Sequence, residues 1–308
     1  MSRPGRMLLV ANPAAGRGDD AVFERLCRAL TAAGAAYDVV VTDHRDHGRA
    51  LVRHAVLAEG HRHVVAVGGD GTVHDVVNGL VDADTGRVVA EDLVLGVVSA
   101  GSGSDFARTF GLDRPPETLV RHLLSTSTMP IDLGRVAVTA PDGSRRWHVF
   151  ANVAEAGFGG RVARAAGRLP RRWGAARYRW GIVASWSSFR RVDTTVTLPD
   201  ATRTERVCNV VVANGQFFGG GMHVAPRAIP DDGAFSVQSW GGTPTDVVRA
   251  ARQLRTGAHL QRTDVRSWST ASVEVDAVRP LVVEADGEVL GTTPARFEIL
   301  PRVLDLGL

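Results

Sequence analysis

The chain has no lysine: all 36 residues counted as Lys or Arg are arginine. GC-rich coding accounts for the bias, but the absence has a chemical consequence. A phosphate-binding loop of the kind that places a lysine on the nucleotide is excluded. Any bound phosphate must be held by backbone N–H groups, arginine, hydroxyls or a metal. Cysteine is nearly absent too. Cys27 and Cys208 lie far apart in apolar-periodic stretches, which gives neither a disulfide framework nor a zinc site and fits a reducing cytoplasm. No apolar run reaches the roughly 18–20 residues of a membrane span. The start, MSRPGRMLLVANPAAG, carries a basic stretch but only a very short apolar run, so it reads as a first strand rather than a signal peptide. What remains is 44% hydrophobic and 22% charged over 308 residues, with a net charge of only +3. That composition predicts a folded soluble protein, long enough for two domains.

The first third alternates strand and helix. MLLVAN (7–12), YDVVVT (37–42), HVVAV (63–67) and LVLGVVSA (93–100) read as strands, with helical periodicity after each. Apolar strands in this alternation predict a parallel sheet covered on both faces, with ligands at the carboxyl ends of the strands. After about residue 125 the pattern changes. IDLGRVAV, WHVFANVA, TTVTLP, ERVCNVVVANG, GAFSVQSW, VRSWST, ASVEVDA, LVVEADGEVL and ARFEIL are strands at short spacing, interrupted by helical stretches near 158–190 and 243–256. The expectation is an α/β domain over 1–127 and a β-rich, sandwich-like domain over 128–308, whose last strand could return to the first.

Three loops carry the chemistry. Asn12-Pro13-Ala14-Ala15-Gly16-Arg17-Gly18 follows the first strand, and its small residues suit either an ordinary turn or an anion at the next helix N-terminus. Gly68, Gly69, Asp70, Gly71 and Thr72 follow the third. Glycines let the backbone approach phosphate, but phosphate repels Asp70. Gly101-Ser102-Gly103-Ser104-Asp105 follows the fourth, where Asp105 serves as an N-cap or as a second carboxylate. Two carboxylates on neighbouring strand ends can hold Mg²⁺ against nucleotide phosphates, which gives Asp70 a reason to be there. Asp132, among apolar residues entering a strand, is either a third such carboxylate or a turn residue. Asp286-Gly287 predicts a two-residue hairpin, and Glu288 just past it could face the cleft as a general base. Residues 161–192 contain nine arginines, Trp173, Tyr178, Trp180 and Trp186, and no Asp or Glu. This suits a solvated basic face, an anionic membrane or nucleic acid, though no nucleic-acid motif accompanies it.

Taken in order, NPAAGRG (12–18), VGGDGT (67–72), GSGSDFAR (101–108), IDLG (131–134), NVAEAGFGG (152–160), NGQFFGGGM (214–222), APRAIPDDG (225–233) and ADGE (285–288) resemble the soluble lipid kinase superfamily of diacylglycerol and sphingosine kinases, above all its bacterial diacylglycerol-kinase-like branch. GGDGT alone is shared with NAD kinases and is similar to a phosphofructokinase loop; the ordered set is specific. The resemblance implies an α/β nucleotide-binding domain of the NAD-kinase and diacylglycerol-kinase kind, with ATP in the cleft, and a β-rich domain for the lipid. It implies ATP contacts at Asn12, Pro13, Gly16, Gly68, Gly69, Asp70, Gly71, Thr72, Gly101 and Ser102. It implies a water-and-Mg²⁺ network on Asp70, Asp105 and Asp132, Glu288 as the base with Asp70 beside it in catalysis, and a structural metal region near Asp231. Ser104 stands where the family has Asn and Ser102 where it has Thr.

The reaction implied is transfer of the γ-phosphoryl group of ATP to a lipid hydroxyl, diacylglycerol first, giving phosphatidic acid. Arg171, Arg172, Trp173, Arg179 and Trp180 would contact an anionic membrane, with the protein cytoplasmic and peripheral on the inner face of the plasma membrane; a homodimer is compatible. The alternatives are a kinase of sphingoid or isoprenoid-type alcohols, a NAD kinase, and a non-catalytic regulator with the same fold. The LGFL stretch and Asn-Glu pair expected of a NAD kinase are absent.

Overall fold

The structure is a computed structural model that describes residues 5–12, 19–42, 47–100, 104–169 and 176–308, the side chains of 19, 20 and 176–179 excepted. The first part runs β1 (Met7–Ala11), α1 (Asp19–Ala32), β2 (Tyr37–Val41), α2 (His47–Leu57), β3 (His63–Gly68), α3 (Asp70–Leu80), β4 (Val81–Asp82), β5 (Arg87–Val88), β6 (Val94–Ser99), α4 (Asp105–Thr109) and α5 (Pro116–Leu123). β2, β1, β3 and β6 lie side by side, all parallel. β1 and β3 are buried along their whole length, as near-continuous Val and Leu runs require when helices cover both faces.

The second part runs β7 (Thr128–Thr139), β8 (Arg145–Phe150), β9 (Val153–Gly157), α6 (Phe158–Ala166), α7 (Ala176–Ser185), β10 (Val192–Thr197), β11 (Thr202–Val207), β12 (Asn209–Ala213), β13 (Phe217–Phe218), β14 (Met222–His223), β15 (Phe235–Trp240), α8 (Pro244–Gln253), β16 (Val265–Thr270), β17 (Ser272–Ala277), β18 (Val282–Ala285) and β19 (Glu288–Gly307). These strands pack as an antiparallel, sandwich-like body around Phe150, Phe235 and Phe297. β19 is the spine. It runs antiparallel to β7, then pairs in parallel with β6 through Asp305 and Leu306. Ile131, Leu133, Leu300, Leu304 and Leu306 therefore join the core of the first sheet, and the order β16-β15-β12-β9-β18-β19-β6-β3-β1-β2 is continuous.

Three runs that read as single strands are broken, each for a visible reason. WHVFANVA divides into β8 and β9 because the N–H groups of Ala151, Asn152 and Val153 donate to the Asp286 carboxylate instead of to a strand. ERVCNVVVANG divides at Cys208, whose N–H and Sγ–H both donate to the Trp240 carbonyl. LVVEADGEVL folds back at Asp286-Gly287, with φ of 49° and 85°, the left-handed pair that a two-residue turn of this hand requires. Among the described residues of the helical stretch 158–190 are two helices, α6 and α7, followed by a 3₁₀ turn. α5 and the small β13–β14 hairpin were not anticipated.

One glycine of the IDLG motif is explained by packing. A Cβ on Gly134 would lie 2.1 Å from the Phe150 ring, which sits directly across the β7–β8 ladder. The opposite problem sits at the base of the parallel sheet. His63 is buried there with both ring nitrogens unpartnered, and burial pushes its pKa down to about 4. An unfolded histidine titrates near 6.5. Between these values the unfolded chain binds the proton and the folded chain does not, so stability is lost as pH falls through that window. We predict that the wild type loses about 2–3 kcal/mol more than His63→Leu between pH 7 and pH 4.5. Urea titrations of both proteins at several pH values measure this, and parallel pH profiles would remove His63 from the account.

Candidate active site

The glycine-rich turn closes β3 and opens α3. Gly68 is required there, because a Cβ would strike the Thr72 hydroxyl at 2.3 Å. Among the described residues a Cβ on Gly71 would meet nothing within 4 Å, so none of them demands that glycine, and its backbone is exposed. The Gly69 carbonyl accepts the N–H groups of Thr72 and Val73. Asp70 reaches across to the loop after β6, where its Oδ1 accepts the Phe106 N–H at 2.9 Å. Its carboxyl is pushed up to about 6, first by burial and then by the Asp105 charge, with Asp286 adding to the effect. Arg108 beside Asp105 and His74 beside Asp286 offset part of this charge, but among the described residues no ion pair reaches Asp70, and a carboxylate so placed favours a cation.

Asp105 and Asp132 are engaged differently. Both Asp105 oxygens accept backbone N–H groups, from Gly220 and Gly221 at 2.8 and 2.7 Å, so Asp105 pins the turn of the β13–β14 hairpin onto the first domain. Arg108 supports the same junction, 3.6 Å from Asp105 and stacked over Phe217. Burial leads in pushing the Asp105 carboxyl up, against these bonds. Asp132 is fully buried, and its two oxygens accept the N–H groups of Gly233 and Arg302 at 2.7 and 2.6 Å. The Asp132 N–H in turn donates to the Pro230 carbonyl. Asp132 thus ties the APRAIPDDG segment to β7 and β19, and Asp231 in that segment is exposed. No three metal-ligating side chains converge among the described residues. Of the three aspartates, Asp70 fits a cation best.

The residue that links the two domains at this site was not anticipated. His74, one turn into α3, donates from Nδ1 to Asp286 at 3.0 Å. Asp286 also accepts the N–H groups of Ala151, Asn152 and Val153. Asn78, one turn further along α3, donates to the Val149 carbonyl and accepts its N–H. Glu288 adds its charge to that of Asp286 in raising the His74 pKa against the effect of burial. The glycine-rich turn and the DGE hairpin are therefore locked together through a single helix. The clue was present in VGGDGTVHDVVNGL, where His74 and Asn78 share one face at i, i+4; both are polar positions on an amphipathic helix.

Asn12 directly follows β1, half-buried. Pro13, Gly16, Gly101, Ser102, Arg171, Arg172 and Trp173 lie outside the described residues, as does the Arg179 side chain. Trp180 is 57% exposed on α7, next to exposed Val183.

Residues 6–136 match the family model described as the diacylglycerol kinase catalytic domain. Residues 152–307 match the YegS C-terminal NAD kinase beta sandwich-like domain. A protein of Pseudomonas putida named "Probable lipid kinase YegS-like" is 31% identical over 91% of this chain and 88% of its own length. A protein of Mycobacterium tuberculosis named "Diacylglycerol kinase" is 28% identical over 98% of this chain and 94% of its own. Among solved structures, a diacylglycerol kinase from Bacillus anthracis str. Sterne superposes with a TM-score of 0.71 at 19% identity, covering 99% of this chain and 97% of that one. Yeast NADH kinase shares the fold more distantly, with a TM-score of 0.51 at 10% identity. With both domain types matched in order and the glycine-rich turn joined to the DGE hairpin, the chain belongs to the diacylglycerol-kinase-like family of lipid kinases.

Proposed function

We propose that the protein transfers the γ-phosphoryl group of ATP to a lipid hydroxyl, with diacylglycerol as the acceptor. The observation that carries this reading is the His74–Asp286 contact, which sets Glu288 beside the helix that begins at Asp70. Residues 1–127 would bind the nucleotide and residues 128–308 the lipid. In this reading the open backbone at Gly71 and the Thr72 hydroxyl receive phosphate oxygens, the task a lysine-free loop must perform with N–H and O–H groups. Mg²⁺, when bound, supplies charge neutralisation on the transferring group, and Asp70 is the residue that would hold it. Glu288 accepts the proton of the lipid hydroxyl as its oxygen forms the new bond to phosphorus and the bond to the ADP oxygen breaks. Positioning and electrostatics then provide most of the acceleration.

The reading also includes peripheral contact with an anionic leaflet on the inner face of the plasma membrane. Among the described residues no helix is long and apolar enough to cross a membrane. Arg161, Arg164 and Arg190 lie close enough for their like charges to lower the Arg161 pKa, after burial. Exposed Trp180, Val183 and Trp186 follow on and after α7. Crowded cations beside exposed indoles suit acidic headgroups and the interfacial layer.

Purified protein with Mg·ATP and mixed micelles of diacylglycerol, sphingosine or ceramide should give labelled phosphatidic acid from the first. Glu288→Gln should lower kcat about 100-fold or more while leaving ATP affinity nearly unchanged. Phosphorylation of NAD without any lipid product would overturn the assignment. Asp70→Ala should abolish turnover yet leave the melting temperature nearly intact, because it removes a carboxylate repelled by Asp105; a large fall in Tm would make Asp70 structural. Cosedimentation should favour vesicles with acidic lipids over neutral ones, and Trp180→Ala with Trp186→Ala should reduce binding at least tenfold. Equal binding to both vesicle types would remove the membrane contact from the reading.

A further inference from the structure

Two glutamates that the proposed chemistry does not use face each other in the middle of the second domain. Glu155 on β9 and Glu284 on β18 are directly opposite in the antiparallel ladder, and each is only 5% exposed. Two like charges so placed would be strongly unfavourable in a buried site. One proton shared between the two carboxyl groups removes that repulsion. The remaining valences are filled. Asn209 donates from Nδ2 to Glu155 at 2.6 Å, and its Oδ1 accepts the Gly159 N–H. Glu284 accepts the Gly287 N–H through Oε2 at 2.9 Å. Gly159 makes room for the pair, since a Cβ there would lie 2.2 Å from a Glu155 oxygen.

Gly287 is the second residue of the Asp286-Gly287 turn, and Glu288 follows it. Both turn residues hold positive φ, and the ladder slips between Val283 and Glu284. A turn beside a register shift needs an anchor. Asp286 is anchored on one side by His74 and the backbone of 151–153; Gly287 is anchored on the other by Glu284. We propose that Glu284 is a positioning residue for Glu288: one proton shared by Glu155 and Glu284 leaves a Glu284 oxygen to hold the Gly287 N–H and fixes the turn that presents the base. This rests on Glu288 being the base of the proposed reaction.

The surroundings set the sign of the pH effect. Burial and then the Glu155 charge push the Glu284 carboxyl well above its ordinary range, with Asp286 adding to this. Burial likewise raises Glu155, against its bonds to Asn209 and Glu284. The other titratable groups around the pair are Cys208, held as a neutral thiol with its pKa pushed up to about 12, and His74 across Asp286. The raised pKa favours keeping the shared proton, and its loss as pH rises sets two carboxylates against each other behind the turn.

The test is the pH profile of kcat in the wild type, Glu284→Gln and Glu284→Ala. The glutamine amide can donate to Glu155 and accept from Gly287 without a titrating proton. It should keep kcat within about threefold and lose the alkaline fall that the pair contributes. The alanine variant should lower kcat tenfold or more with KM for ATP changed less than twofold. Wild-type kcat in Glu284→Ala, or an unchanged alkaline limb in Glu284→Gln, would overturn the proposal. The Gly287 amide resonance gives a second readout in the full-length protein. It should shift with pH in the wild type and stay still in Glu284→Gln; a still signal in the wild type would also overturn it. A wild type inactive on every lipid would defeat the kinase reading, and the amide titration would still decide whether the pair controls the turn.

Discussion

Everything in the cleft depends on the carboxylate of Asp286. It sits in a tight turn at positive φ, yet it receives one hydrogen bond from His74 of the first domain and three from the backbone of the second. Charge-assisted bonds to a buried carboxylate are stronger than neutral ones, and a missing partner would leave a buried charge unpaired. The two domains therefore cannot separate at this point without stripping that charge. The continuous β19 does the same work in the backbone, joining β7 and β6 across the boundary. The proposed transfer between a nucleotide on one domain and an acceptor on the other would gain from this rigidity, because catalysis by positioning loses rate steeply with small misplacements.

The aspartates of the ordered motifs divide by their hydrogen bonds. Asp105 and Asp132 are satisfied by backbone N–H groups from distant segments, two each. They stabilise loops that have little apolar surface to bury, such as the Gly219–Gly221 turn, where conformational freedom is large and its loss on folding is costly. Asp70 differs. Its neighbours are mostly negative and its pKa is raised in spite of a backbone bond. A chain that only had to fold would gain from neutralising that position, so the retained charge points to a ligand.

Much of this was legible in the sequence, and the rest was hidden for identifiable reasons. The parallel strands read correctly because fully buried strands are continuous apolar runs, as in MLLVA and HVVAVG. The DG hairpin read correctly because only small or polar residues tolerate its backbone angles. The break between β8 and β9 could not be seen, because it is caused by a carboxylate more than 130 residues away in sequence. His74 looked like one of several polar positions on an amphipathic helix, and only the fold supplies its partner. α5 was missed although Pro116, Leu119, Val120 and Leu123 recur at helical spacing, because that signal spans only two turns.

The buried acids Glu155 and Glu284 show where pattern reading meets its limit. In sequence each looks like a polar interruption of a strand, and a solvent-facing side chain would be the ordinary expectation for such alternation. The ladder places them opposite one another under Gly159, where neither reaches water. A hydrophobic pair of similar volume would serve stability as well or better. What such a pair could not do is hold the Gly287 N–H, which would then be a half-buried donor without a protein partner at the base of the turn that carries Glu288. The cost of the acids follows from the need for an acceptor at that point, and the shared proton follows from meeting that need with two carboxyl groups.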